Sequence, residues 1–350
     1  MSMYTARRDE FCRIAEQRGL ALKHIPIVQG QDGCALNLTY TLLGNLQAST
    51  CIVILSGVHG IEGGAGSLIQ EAILRDFPTP QQLAICLVHA VNPWGMHEMR
   101  RVNEINIDLN RNFIGGNSIQ RNAGYERARN IICPDWQKLP DKSKLAKALM
   151  QWIGQDGLSH VQSVITSGQY HHAEGLFYGG VQPSQSNLAV REIFQTLALQ
   201  FRDFLVLDIH TGLGEKGQLS IISEGGSGIS DKRIFSQATN HTSDKAVSSL
   251  LSGTLTGYVD TFFHGRRAEG YVLEVGTYPA LDVMIAMQRE NWLWRKKIRS
   301  GTLYECVREE FKEMFFPSDA HWLMKATDAI FTTLHDAMDT LYVHQSVREV

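Results

Sequence analysis

The sequence predicts an α/β protein in three layers, α/β/α, around a central mixed, mostly parallel twisted sheet. Three observations predict it. Four apolar runs, Cys51–Leu55, Leu83–Val88, Phe204–Leu207 and Tyr271–Val275, the last carrying a single glutamate, have the length of strands, and their lack of alternation suits strands covered on both faces. Apolar residues at helical spacing separate and follow these runs. The resulting order, strand, loop, helix, strand, is uninterrupted by repeats, low-complexity segments or long linkers.

Each element has its own signal. The opening MSMYTARRDEFCRIAEQRGL reads as an amphipathic helix and lacks the apolar core of a signal peptide. Leu36, Leu38, Tyr40 and Leu42 alternate, which predicts a strand with one buried face. After the Cys51–Leu55 strand, Ala65, Leu68, Ile69, Ala72 and Ile73 repeat as one helical face. Asn92-Pro93 closes the Leu83–Val88 strand, and Ile107–Asn110 is long enough for a short edge strand. From about residue 114 to 200 the rhythm changes to helical pieces and the loop Ser167–Gly180. This stretch reads as an elaboration that shapes a cleft on a single domain spanning residues 1–350. The Phe204–Leu207 and Tyr271–Val275 strands follow. Leu323, Ala326, Ile330, Leu334, Ala337 and Leu341 then mark a C-terminal helix.

Composition narrows the function classes. With 350 residues, 43% hydrophobic, 20% charged and a net charge of −3, the chain is ordinary for a soluble globular protein. It has no basic run to attract nucleic acid or an anionic membrane. No apolar stretch approaches the roughly 18 residues of a membrane span. The six cysteines are scattered without a CxxC pair and read as buried free thiols. Together with the absent signal peptide this predicts a cytoplasmic location. On that reading the sequons Asn37-Leu38-Thr39 and Asn240-His241-Thr242 are chance matches.

Chemistry gathers where strands end, as it does in such sheets. HGIE (His59–Glu62) follows the first buried strand, and a turn that starts a helix can aim His59 and Glu62 at one point. DIH (Asp208–His210) ends another strand. Two imidazoles and a carboxylate form the protein ligand set of a catalytic zinc site, with a fourth position open for water. Manganese, iron or cobalt would accept the same donors. Asn110 and Arg111 follow at the end of the Ile107–Asn110 run, and an arginine can grip a carboxylate through two parallel hydrogen bonds. Arg100 and Arg101 are either substrate cations or solvated partners of Glu98 and Glu104. Glu274, inside an apolar run, is a candidate base. The glycines of GVHGIEGGAG lack a phosphate-loop pattern and read instead as permitting a tight turn around the metal. His89 and His264 read as structural, and His97, His171 and His172 are the reserve for a second metal.

The motifs HGIE, NPWG, IDLNRNF, DIH and the late glutamate, in this order, resemble the zinc carboxypeptidase family. The likeness runs from His59 to about Tyr278 and is greatest to a bacterial branch described as a domain of unknown function. The resemblance implies the zinc carboxypeptidase fold and one zinc ion on His59, Glu62 and His210. It implies that Asn110 and Arg111 hold a substrate carboxylate and that Glu274 is the general base. Arg101 looks like the arginine that polarises the scissile carbonyl, with Arg100 as the alternative match, and Asp108 like the carboxylate that orients the first zinc histidine. The family's capping tyrosine has candidates in Tyr170, Tyr258 and Tyr278. LEVGTYP, around Glu274, is more similar to the aspartoacylase and succinylglutamate desuccinylase branch, which cleaves acyl groups from amino acids. The expected activity is thus zinc-dependent hydrolysis of an amide beside a free carboxylate. The substrate is a small peptide or an N-acyl amino acid, and the alternative is a non-catalytic carboxylate-binding protein on the same fold.

Overall fold

The computed structural model describes residues 1–30, 32–114, 121–223, 234–235, 239–240 and 253–346. Its strands are β1 Leu22–Gln29, β2 Ala35–Gly44, β3 Thr50–Ser56, β4 Ala84–His89, β5 Asp203–Gly212, β6 Leu219–Ser223, β7 Thr239–Asn240 and β8 Ala268–Gly276. They form one sheet in the order β1-β2-β4-β3-β5-β8-β6-β7. The central strands β4, β3, β5 and β8 are mutually parallel. The β1–β2, β2–β4 and β6–β8 pairs are antiparallel, so the sheet is mixed around a parallel centre.

Side-chain alternation along β3 builds the three layers. Ile52 and Ile54 enter one core with Phe11 of α1 (Met3–Gln17), Ile69 and Ile73 of α2 (Gly63–Asp76), and Ile330 and Leu334 of the C-terminal helix Ala320–Ser346. Cys51, Val53 and Leu55 enter the other, with Val190, Ile193 and Phe194 of the helix Gln185–Ala198 and with Leu255 and Val259 of the helix Leu255–Phe262. Every β3 and β5 residue is buried, which is why both segments read as unbroken apolar runs.

The remaining helices lie to one side. The helices Ala123–Ile132, Lys142–Asp156 and Leu158–Thr166 share a third core with Ala280–Arg295 and Thr302–Phe315, through Tyr125, Leu149, Trp152, Val164, Met287 and Phe311. Among the described helices of the stretch 114–200, Gln185–Ala198 is the one that packs on the sheet itself.

Two expectations need correction. Ile107–Asn110 is not an edge strand: Asp108 N donates to Tyr178 O, the Asp108 carboxylate caps Asn110 N, and Leu109–Arg111 forms a 3₁₀ turn. Arg100 and Arg101 do not pair with Glu98 or Glu104. Arg100 is buried and grips Glu290 through Nε (2.6 Å) and Nη2 (3.2 Å), with its guanidinium over Trp294, and Arg101 pairs with Asp108. The β1 and β6 strands carried no clear pattern, since β1 is a polar edge strand interrupted by Pro26. Of the two sequons, Asn37 lies in β2, and His241-Thr242 lies outside the described residues. All six cysteines are unpaired; Cys51, Cys86 and Cys133 are buried and Cys306 is exposed. Among the described residues, no helix is long and apolar enough to cross a membrane.

The loop leaving β3 is packed too closely for side chains. A Cβ on Gly60 would lie 2.1 Å from the Gly95 carbonyl carbon. That carbon belongs to backbone held by the Asn92 cap of α3 (Pro93–His97), so it cannot yield cheaply. Gly60→Ala is expected to destabilise the protein by about 3 kcal/mol, the upper part of the usual range for overpacking. Chemical denaturation measures this, and a loss of a few tenths of a kcal/mol would contradict the close packing.

Candidate metal centre

The site forms where the chain leaves the C-terminal ends of β3, β5 and β8. β3 lies between β4, which follows it in the chain, and β5, which comes much later, so the strand order reverses here and leaves a crevice. Directly after β3, His59 precedes the 3₁₀ turn Gly60–Glu62 and α2 begins at Gly63. Backbone bonds from Gly60 N to Arg101 O and from Ile61 N to Arg100 O fix this turn. On β5, Asp208 and His210 share the face of Phe204 and Val206 because side chains repeat every second residue. Glu274 of β8 pairs in register with His210, so parallel pairing puts both on that face.

His59, Glu62 and His210 offer ligand atoms that all lie within 4.8 Å of one another, and all three residues are buried. His59 Nδ1 is 2.8 Å from Glu62 Oε1, His210 Nδ1 is 3.1 Å from Glu62 Oε2, and the two Nδ1 atoms are 3.1 Å apart. Each ring turns its other nitrogen to an aspartate. His59 Nε2 is 3.1 Å from Asp108 Oδ1, and His210 Nε2 is 2.7 Å from Asp208 Oδ2. A carboxylate only accepts, so each Nε2 carries the donated proton. Both Nδ1 lone pairs then face each other and a carboxylate. Three electron-rich atoms that close require a cation among them, either a proton or a metal ion. Imidazole nitrogen and carboxylate oxygen with aspartates behind both rings suit a divalent transition metal.

Charge balance agrees. Glu62, Asp108, Asp208 and Glu274 are all buried here, and among the described residues the arginine or lysine in salt-bridge contact with them is Arg101, paired to Asp108. Burial would raise the Glu62 pKa, but His59 and His210 outweigh it and hold the carboxyl well below its usual range. Burial likewise opposes ionisation of Asp108, and Arg101 and His59 overcome it. At Asp208 burial prevails and the pKa rises; its Oδ1 has no partner among the described residues. His210 is pushed the other way: burial disfavours its charge, yet Asp208 and Glu62 raise its pKa well above the ordinary value. Glu274 is pushed up to about 7, chiefly by burial, with His210 opposing, and its Oε1 accepts from Leu213 N at 2.8 Å.

In the metal-free protein the neighbouring Asp208 and Glu62 carboxylates favour a charged His210 ring. Because the raised pKa favours imidazolium, metal uptake must displace that proton, and affinity rises with pH. Ionisation of Glu274 near pH 7 adds negative charge in the same direction. Calorimetry at pH 6.5 in buffers of different ionisation enthalpy should register about one proton or more released per ion bound. Zero release would rule out a protonated His210.

The other predicted residues are distributed as follows. Asn110 and Arg111 are buried at the 3₁₀ turn. Asn110 Oδ1 accepts from Leu255 N, and Arg111 donates to the carbonyls of Thr166 and Asn110. Among the described residues no carboxylate is in salt-bridge contact with Arg111. Tyr170 is buried and donates to Arg111 O at 2.8 Å. Tyr258 packs on Phe113 and Phe262 beneath Arg191, and Tyr278 donates to Glu313. His89 is buried on Ser67, and His264 is exposed. The reserve histidines do not join the cluster. His97 contacts Asp32 and Glu98, His172 contacts Glu126 and stacks on Tyr125, and His171 is exposed. Asp208 escaped the sequence reading as a ring-orienting group, although its position two residues before His210 on one strand was the signal.

Fold and site together define a three-layer α/β/α protein with a preassembled site able to coordinate a divalent metal. The chain belongs to the family described as "Protein of unknown function (DUF2817)", which it matches over residues 1–329. No curated protein matches it. Solved structures similar to it include bovine thrombin-activatable fibrinolysis inhibitor in complex with tick carboxypeptidase inhibitor, at 12% identity, 98% of this chain, 97% of that chain and a TM-score of 0.44. Carboxypeptidase A from Helicoverpa armigera is similar at 13% identity, 85% of this chain, 71% of that chain and a TM-score of 0.43. A metallo-carboxypeptidase from Pseudomonas aeruginosa in complex with (2-guanidinoethylmercapto)succinic acid is similar at 11% identity, 94% of this chain, 69% of that chain and a TM-score of 0.44.

Proposed function

We propose that this protein is a zinc-dependent hydrolase that cleaves an amide bond beside a free carboxylate, in the manner of metallocarboxypeptidases. The observation that carries the reading is Glu274. A carboxylate that titrates near neutrality lies in register beside His210, next to the donor cluster but outside it. His59, Glu62 and His210 would hold the ion. When bound, the ion supplies Lewis-acid polarisation of the scissile carbonyl and lowers the pKa of the attacking water.

The chain's own groups do the rest. Glu274 takes a proton from the water as its oxygen bonds to the carbonyl carbon. It then gives that proton to the amide nitrogen as the C–N bond breaks, leaving an acid and an amine. Arg101 lies beside the centre through Asp108 and stabilises charge developing on the carbonyl oxygen. Arg111 supports the carboxylate end of the reading: it is a buried cation whose described partners are carbonyl oxygens. Asn110 and Tyr170 flank it, and Tyr258 and Tyr278 remain the other tyrosines for closing over substrate.

The test is a panel of short peptides with free C-termini and of N-acyl amino acids, assayed with metal-loaded protein beside C-terminally amidated controls. Hydrolysis only where a free carboxylate adjoins the amide is expected, and no turnover of either type would defeat the reading. The panel also separates peptide cleavage from deacylation of acyl amino acids. Arg111→Gln is expected to raise KM by about 10–100-fold, as for a lost charge-assisted hydrogen bond, with a smaller change in kcat. An unaltered KM would place the carboxylate elsewhere.

A further inference from the structure

The loop Ser167–Gly180 and Thr166 just before it are tied to the turn Asp108–Asn112 beside the metal centre. Asp108 N donates to Tyr178 O at 2.7 Å, Asn112 Nδ2 to Gly179 O at 2.7 Å, and Arg111 Nε to Thr166 O at 2.9 Å. Between these ties, the Phe177 ring lies over the Arg101 guanidinium, 5.4 Å from ring centroid to guanidinium carbon. Phe177 is 7% exposed and its backbone is left-handed, with φ 58°. That conformation is unfavourable for a bulky side chain and persists only where the surroundings enforce it. The enforcement is visible: Gln169 N holds Phe177 O at 3.0 Å, Tyr125 Oη holds Leu176 O at 2.8 Å, and Leu176 N meets Cys133 Sγ at 3.3 Å. Two more non-glycine left-handed residues, Met99 (φ 50°) and Asn106 (φ 66°), bracket the segment that carries Arg101. Asn106 Nδ2 bonds Ala173 O and Gly175 O of the same loop.

We propose that Phe177 is a positioning residue that holds Arg101 for its work at the metal centre. The Asp108 carboxylate fixes one edge of the guanidinium and the Phe177 ring covers one face. With edge and face both constrained, the guanidinium keeps one orientation, and its remaining donors are preorganised for charge that develops on substrate. Burial alone does not require a phenyl ring at this position. Leucine would supply apolar volume, and glycine would suit the left-handed backbone better than any side chain. Only an aromatic residue supplies a π face. The inference rests on the role given to Arg101 above.

The test compares Phe177→Leu, Phe177→Gly and Phe177→Tyr in metal-loaded protein by two readouts. The first is the side-chain Nε–H NMR signal of Arg101, assigned by its loss in Arg101→Lys. A ring-shifted signal is expected in wild type and in Phe177→Tyr, and its return toward the free-arginine position in Phe177→Leu and Phe177→Gly. The second is kinetics on an amide substrate. An on-the-order-of tenfold fall in kcat with little change in KM is expected for Phe177→Leu, with recovery in Phe177→Tyr. Phe177→Gly secures a folded comparison if leucine strains the loop. An Arg101 signal unmoved in the leucine and glycine variants overturns the proposal, and so does equal kcat across all variants. If wild type cleaves no amide, the hydrolase reading fails while the NMR comparison still decides whether Phe177 positions Arg101.

Discussion

Glu274→Gln should bind metal as wild type does and lose about 10²–10⁴-fold in kcat, the usual contribution of a general base. The substitution is nearly isosteric, and an amide oxygen can still accept the Leu213 N–H. It cannot take up a proton. Glu274 lies outside the His59, Glu62 and His210 cluster, so metal content should be unaffected. The same variant has a second signature, in stability. Burial raises the Glu274 pKa from 4.5 to about 7, so the native state favours the neutral acid. Ionisation penalises the folded metal-free protein progressively between pH 4.5 and 7 and by a constant amount above. Glutamine removes that penalty. Metal-free Glu274→Gln should therefore exceed wild type in stability at pH 8, by on the order of 1–3 kcal/mol, and match it below pH 4.5. Near wild-type turnover in the loaded variant would exclude Glu274 as the base.

His210→Ala should reduce bound metal from about one equivalent to a trace, because structural and catalytic zinc sites need at least three protein donors. Asp208→Ala gives the graded comparison. It leaves every donor in place but removes the acceptor that orients His210 Nε2, so affinity should fall by about 10–100-fold. Elemental analysis after dialysis separates the two outcomes. Undiminished metal in His210→Ala would remove His210 from the ligand set. Equal affinity in Asp208→Ala and wild type would show that ring orientation is set elsewhere.

The parts of this architecture that were legible in sequence share a physical reason. Strands β3, β4, β5 and β8 are covered on both faces, so their central stretches Cys51–Leu55, Ala84–Val88, Phe204–Leu207 and Tyr271–Leu273 had to be apolar, and each run announced itself. His59, Glu62 and His210 were legible because they interrupt such runs at their ends. Edge strands carry no such demand, and β1 with Pro26 and a half-exposed pattern was missed for that reason. The Ile107–Asn110 segment misled because its spacing suits a strand, whereas its hydrogen bonds go to Tyr178 and to its own aspartate. Partnerships across long sequence distances were invisible. Nothing near Arg100 suggests Glu290, which together with Arg308 lies in a buried cluster roofed by Trp294 and Tyr304. Nothing local to Arg101 announces that Phe177 will cover it.

The position of β3 between β4 and β5 bears on how the chain is made. During synthesis β3 and β4 emerge early and can pair, but β5 follows ~150 residues later, a delay of roughly 7–30 s at ordinary translation rates. For that interval the nascent polypeptide presents to its surroundings an unpaired edge of Thr50–Ser56, a strand that is wholly buried in the finished fold and apolar from Cys51 to Leu55. A chaperone that shields this segment on the ribosome should raise the soluble yield, and slower elongation upstream of β5 should lower it.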